Sequence, residues 1–191
     1  MDAATQYALA YALTTTAGLR GFLTLFAASV AAHYHIIHPS AAFAWLGSEG
    51  TVIVLGIFAL LELTADKVPA LDHALHAVSF AARPVAAAIL VGGTVNTSSP
   101  GELAGLMAAG ALNALVVHTS SATARAASSV ATMGIANPVL SVIEDVIAIG
   151  GLILSFAAPI LAAVLALIFV IALIVVGRRL YLTMRERSAT P

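Results

Sequence analysis

The chain has 191 residues, 61% of them hydrophobic and 9% charged, with a net charge of −1 and a mean hydropathy of +1.03. Water-facing surfaces need about a quarter of the residues charged, so a soluble domain is excluded and an integral membrane protein is expected. The chain has no cysteine, which removes disulfides, thiolate metal sites and cysteine nucleophiles, and its near-neutral charge offers no footing for nucleic acid.

Alanine dominates the composition and favours helices. Long apolar runs without period-two alternation argue against a membrane barrel, so the expected fold is an all-α polytopic bundle with about six spans. The N-terminus, MDAATQYALAYA, has an acid and no basic stretch, so its apolar segment is expected to stay rather than be cleaved. The first span is predicted over Gln6–Ala32 and contains Arg20. The loop HYHIIHPSAAFAWLGSEG follows, with His33, His35 and His38 close together. A short second span, Thr51–Ala65, ends in LELTADKVP. The segment ALDHALHAVSFAA, which carries Asp72, His73 and His76, is weakly amphipathic and suits the membrane interface. Arg83-Pro84 opens a short third span to Val95, with proline in the first helical turn. After the turn NTSSPGE, the fourth span covers Leu103–Ala131 with a polar interruption at HTSSATAR. Asn137-Pro138 starts the fifth, Val139–Ala157, which carries Glu144 and Asp145. The sixth, Pro159–Val176, is uniformly apolar and ends in GRRLYLTMRER.

Four of the eight basic residues, Arg178, Arg179, Arg185 and Arg187, lie in that tail, which places it in the cytoplasm of a bacterial inner membrane. An even number of spans puts the N-terminus inside as well. The whole chain reads as one transmembrane domain, with residues 179–191 as the cytoplasmic tail.

A shift of 105 residues lays Thr15-Thr16-Ala17-Gly18-Leu19-Arg20-Gly21 over Ser120-Ser121-Ala122-Thr123-Ala124-Arg125-Ala126. Each arginine is followed by a span with two acids. These are Glu62 and Asp66, four apart and so on one helix face, and the adjacent Glu144 and Asp145. Two halves of three spans each, about 5–95 and 103–178, would then enter the membrane from opposite sides, the inverted-topology repeat common in secondary transporters. Ionisable residues at membrane depth usually face each other, water or a functional cavity. The expected pairing crosses the halves: Arg20 with Glu144 or Asp145, and Arg125 with Glu62 or Asp66. Either these pairs only fix the packing, or Arg20, Glu62, Asp66, Arg125, Glu144 and Asp145 form a midplane site for a small ion or polar solute. Thr15, Thr16, Asn113, His118, Ser120 and Ser121 are the supporting polar groups.

The hydroxyl runs Thr14–Thr16 and Thr119–Ser121 leave two possibilities open. A helix broken there would aim its N–H groups at an anion, or each hydroxyl bonds back to its own helix. Gly92-Gly93 and Gly150-Gly151 permit close helix contact. The histidine spacings leave metal binding open, and no cofactor is implied.

The segments AGLRGFLTLF, ELTADKVPALDHALHAV followed by ARPVAAAIL, HTSSATARA and NPVLSVIEDVIA together resemble the bacterial membrane family called domain of unknown function 4126. The resemblance covers nearly the whole chain and implies a membrane protein, with no assigned activity. ELTADK is also similar to the acid-x-Gly-Asp-Lys-Ser/Thr motif of a family of cation/proton exchangers, which implies cation handling. It departs from that motif by lacking the glycine before Asp66, by one extra residue, and by Val68 in place of Ser/Thr.

The expected function is a small transporter or channel-like protein, with the lipid bilayer and a small ion or polar solute as partners. Four acids against two arginines slightly favour a cation or proton-coupled solute. A homodimer is expected from so thin a bundle. The rival readings are an intramembrane enzyme acting on lipid, which would use the acids as general acid and base, and a non-transporting scaffold with structural ion pairs. Neither an HExxH zinc motif nor a GxSxG elbow occurs in the chain.

Overall fold

The computed structural model describes residues 1–65 and 69–189, and within them the side chains other than those at 65–77, 180 and 183–189. Among the described residues all regular structure is helical. In chain order the helices are α1 (Ala3–Leu19), α2 (Gly21–His33), a 3₁₀ helix (Ala41–Gly47), α3 (Glu49–Ala65), α4 (Pro69–Thr94), α5 (Pro100–Thr132), α6 (Asn137–Ala157) and α7 (Pro159–Ala189).

Local sequence accounts for most boundaries. The Asp2 side chain accepts the Thr5 N–H and starts α1. Ser99 caps α5, with Pro100 in its first turn. Left-handed backbone at Met133 (φ 53°) and Gly134 (φ 83°) turns the chain between α5 and α6. Pro84, by contrast, does not begin a helix: it lies inside α4. The missing N–H leaves one carbonyl of the preceding turn without its helical donor, and the helix continues.

Among the described residues three helices are long and apolar enough to cross a membrane: α5, α6 and the part of α7 from Pro159 to Arg179. A fourth crossing results if the 3₁₀ helix and α3, bent by 64° at their junction, act as one. Helix α2 and the Val78–Thr94 part of α4 are apolar but shorter. The outward surface is apolar, with Ile53, Ile57 and Leu60 of α3, Val146 and Ile153 of α6, and Ile160, Ile168 and Ile174 of α7 all exposed. Such faces suit lipid, and together they make the chain a membrane protein.

Contacts fix the direction of each helix. Tyr7 donates to Glu102 (2.9 Å), Thr14 lies against Gly110, and Gly18 lies against Val117, so α1 and α5 run in the same direction. Helix α4 runs oppositely: Ala10 packs with Val91 and Val95, while Arg83 reaches the Gly18 carbonyl (3.1 Å). Helix α2 is parallel to α4, because Gly21 faces Arg83 and Ala86, while Ala32 at its other end meets Gly47, next to the Leu46 that lies under Gly93. The chain therefore doubles back at Arg20. Asn96 ties the start of α1 to the segment after α2: its backbone N–H donates to the Gln6 side-chain oxygen (3.0 Å) and its side-chain amide donates to the His38 carbonyl (3.2 Å). Helix α6 is antiparallel to α1, with Asp145 beside Arg20 and Gly151 against Thr16. Helix α7 descends alongside, with Val170 near Leu19 and Gly177 against Ser120.

The bundle thus has an N-face, carrying residue 2 and the segments 34–48 and 95–99, and a C-face, carrying the α5–α6 turn and the end of α7. The single crossing expected over Gln6–Ala32 is instead a helical hairpin. The doubled motif also reads differently. Its two copies lie on parallel helices, and only the first is interrupted, so these contacts do not relate them by inversion.

Packing between helices in lipid relies on small residues that let backbones approach. A Cβ on Gly18 would sit 2.5 Å from the Val117 Cβ and 2.8 Å from the Ala114 carbonyl oxygen. Gly18→Ala should therefore destabilise the bundle by about 1–3 kcal/mol. Gly105→Ala, where nothing lies within 4 Å, should not, as read by unfolding in detergent.

Candidate functional site: a buried cluster around a broken helix

Arg20 is the only residue between α1 and α2, and its backbone is extended (φ −141°, ψ 90°). Its N–H still reaches the Thr16 carbonyl (2.9 Å), and its own carbonyl accepts the Thr24 N–H (3.1 Å) and hydroxyl (2.6 Å). The break frees the first N–H groups of α2 inside the bundle, where unpaired donors are costly. Glu62 of α3 satisfies two of them. One carboxylate oxygen accepts the Gly21 N–H (2.9 Å) and the other the Leu23 N–H (3.0 Å). Glu62 is 7% exposed. A negative group there also complements the positive end of the α2 dipole, and the charges of Arg83 and Arg20 attract it.

The Arg20 side chain, 2% exposed, turns the other way, to α6. Its Nε donates to Asp145 (2.6 Å) and one terminal nitrogen to the Ser141 hydroxyl (3.1 Å). Arg125 pairs with Glu144, which also accepts the Ser121 hydroxyl. Arg20 thus takes one of its expected partners. Arg125 takes, among the described residues, an acid of the next helix, Glu144, while Glu62 is committed to the α2 backbone. Asp66 lies outside the described residues.

Arg83 joins the cluster unforeseen. It is buried, donates to the Gly18 carbonyl (3.1 Å) and to His118 Nδ1 (2.5 Å), and its Nε has no partner. Arginine can only donate, so His118 Nδ1 accepts and its proton is on Nε2. The Phe80 ring sits edge-on to this imidazole, 6.2 Å between centroids. Among the described residues the cluster holds three guanidinium groups and three carboxylates.

The remaining predicted groups divide. Asn113 donates to the Thr14 and Thr15 hydroxyls (3.0 and 2.8 Å). Those hydroxyls donate to the Tyr11 carbonyl, and Thr16 donates to Ala12, so they bond back to their own helix and the break falls four residues later. Helix α5 runs unbroken past Ser120 and Ser121. Ser121 is in the cluster, while Ser120 faces α7 at Gly177. A cleft of about 410 Å³ between α1, α4 and α5 reaches from Tyr7 and Glu102 to Thr14 and Asn113. A second, of about 310 Å³ and mostly apolar, lies between α1, α6 and α7 and includes Thr15, Thr16 and Gly150.

No three His, Asp or Glu side chains converge as a metal set among the described residues. His33 Nδ1 donates to the Gly47 carbonyl (3.0 Å), and His35 and His38 stack (6.4 Å). The side chains of Asp72, His73 and His76 lie outside the described residues.

Removing Asp145 would take a directly bonded carboxylate from the deeply buried Arg20. Asp145→Ala should cost about 3–5 kcal/mol of stability. Glu144→Ala should cost less, because the Arg125 side chain is 14% exposed and can turn toward water. Unfolding of both variants in one detergent checks the order.

Comparison with known proteins adds the following. No curated protein matches the chain, and no solved structure does. A family model described as domain of unknown function (DUF4126) matches residues 7–179. With nearly its whole length covered by that match, the chain belongs to the DUF4126 family.

Proposed function

We propose that the protein is a small transport protein, transporter or channel-like, that moves a small ion or polar solute through the cluster of Arg20, Glu62, Arg83, Arg125, Glu144 and Asp145. The observation that carries this reading is the helix break at Arg20. Extended backbone at membrane depth is tolerated where it is buried in protein or lines a cavity, and discontinuous helices commonly build transport sites. The cleft running from Tyr7 to Thr14 and Asn113 supports a path from the N-face toward the cluster.

The basic residues set the proposed orientation. Arg178, Arg179, Arg185 and Arg187 follow the apolar part of α7, Lys67 falls between α3 and α4, and residues 1–19, 34–48 and 95–102 contain no Lys or Arg. The C-face then lies in the cytoplasm of a bacterial inner membrane. Because the α1–α2 hairpin adds no crossing, the N-terminus faces outward. Ser120, one residue before cluster member Ser121, touches Gly177, just before the Arg178-Arg179 pair, so the site lies toward the cytoplasmic side rather than at the midplane.

Two measurements test this. In proteoliposomes holding a panel of cations, anions and a pH gradient, the wild type should give specific flux, and folded Glu62→Gln and Asp145→Asn variants should lose it at least about tenfold. Absence of flux for every solute, with variants altered only in stability, would make the cluster a structural one. The chain has no cysteine, so single cysteines report sidedness. An impermeant maleimide should label Ala3→Cys and Ser98→Cys on intact cells, and Met133→Cys only after lysis. Protection of Ala3→Cys in intact cells would refute the hairpin topology.

A further inference from the structure

We infer that the N-terminus of α2, together with Arg83, is a binding site for a small carboxylate anion, and that the Glu62 side chain is its tethered occupant. The inference deepens the transport reading and rests on it for the biological role, while the binding is tested without flux.

Three observations carry it. Glu62 does not cap its own helix. It crosses from α3 to place its two oxygens on two separate amides, Gly21 at 2.9 Å and Leu23 at 3.0 Å. That is how a free carboxylate would dock at a helix N-terminus. Arg83 stands beside the same point: a Cβ on Gly21 would come within 3.2 Å of the Arg83 Cγ. Its side chain is more than nine-tenths buried, and its Nε–H has no acceptor, so a donor is left over at the site. Finally, among the described residues Arg83 hydrogen-bonds only neutral groups, the Gly18 carbonyl and His118, whereas Arg20 and Arg125 each hold a carboxylate. Glu62 supplies the counter-charge at this point, and when its side chain leaves, the amides and Arg83 require another anion. The two-pronged contact favours a planar carboxylate of formate or acetate size over a spherical halide.

The test uses the purified full-length protein in detergent, titrated with sodium formate, sodium acetate or sodium chloride at constant ionic strength. Glu62→Ala should melt lower than the wild type, and formate or acetate should raise its melting temperature by at least about 3 °C, chloride by less. The wild type, with the site filled, should not respond. Glu62→Gln keeps the side-chain volume but turns an amide NH₂ toward one of the N–H groups, so formate should raise its melting temperature too, by a smaller amount. This variant serves where Glu62→Ala does not accumulate. Formate responses equal to the wild type's in both variants would overturn the inference, as would an undiminished response in Glu62→Ala/Arg83→Gln. A formate response without any flux would leave the anion site standing and remove the transport role.

Discussion

The arrangement depends on one contact between a carboxylate and a helix end. Breaking a helix inside a bilayer exposes backbone N–H groups to a medium that cannot hydrate them. Here the break at Arg20 is sustained because Glu62 brings two acceptors to the new helix start. The consequences extend through the bundle. With α2 free to turn back, residues 1 and 34–48 share one face, α3 is brought close enough to supply Glu62, and the Arg20 side chain is released toward α6.

The adjacent acids of α6 complete the cluster by a geometric property of the helix. Neighbouring residues project about 100° apart, so one pair of acids serves two different partners. Asp145 turns to α1 and takes Arg20, while Glu144 turns to α5 and takes Arg125 with Ser121. Three helices are tied together by two consecutive residues. Each arginine is buried with a partner, which is the condition under which such residues are tolerated at depth.

Much of this was legible in the sequence, and the misses have physical causes. Hydropathy identified the membrane class and the helices α6 and α7, because long apolar stretches outweigh even the two acids that α6 turns inward. Arg20 and its α6 acid followed from the cost of unpaired charge. Arg83 was missed because Arg-Pro ahead of an apolar run matches a helix start at the interface, while tertiary packing carried α4 straight through Pro84. A buried arginine also needs no carboxylate in sequence proximity: its acceptors here are a carbonyl 65 residues away and an imidazole 35 residues away. The hairpin was invisible for a related reason. Nothing in TTAGLRGF differs in composition from a continuous span, and the residue that allows the break is Glu62, 41 positions from Gly21. The repeat signal compared residue types, and residue types carry no direction, so two parallel helices gave the same pattern as two inverted ones.

The three carboxylates of the cluster are not held alike. Asp145 and Glu144 are each gripped by a guanidinium group, and Glu144 also by the Ser121 hydroxyl. Glu62 is held by two neutral amides, with positive charge nearby but no direct arginine bond among its described contacts. A guanidinium–carboxylate bond adds the attraction between two full charges, which a bond from a neutral amide lacks. Removing the α6 acids from their sites breaks direct ion pairs, whereas withdrawing Glu62 breaks amide contacts that any incoming carboxylate can replace one for one. If a single group in this cluster exchanges with a solute, the energetics select Glu62, and the broken helix is the element that makes its place a binding site.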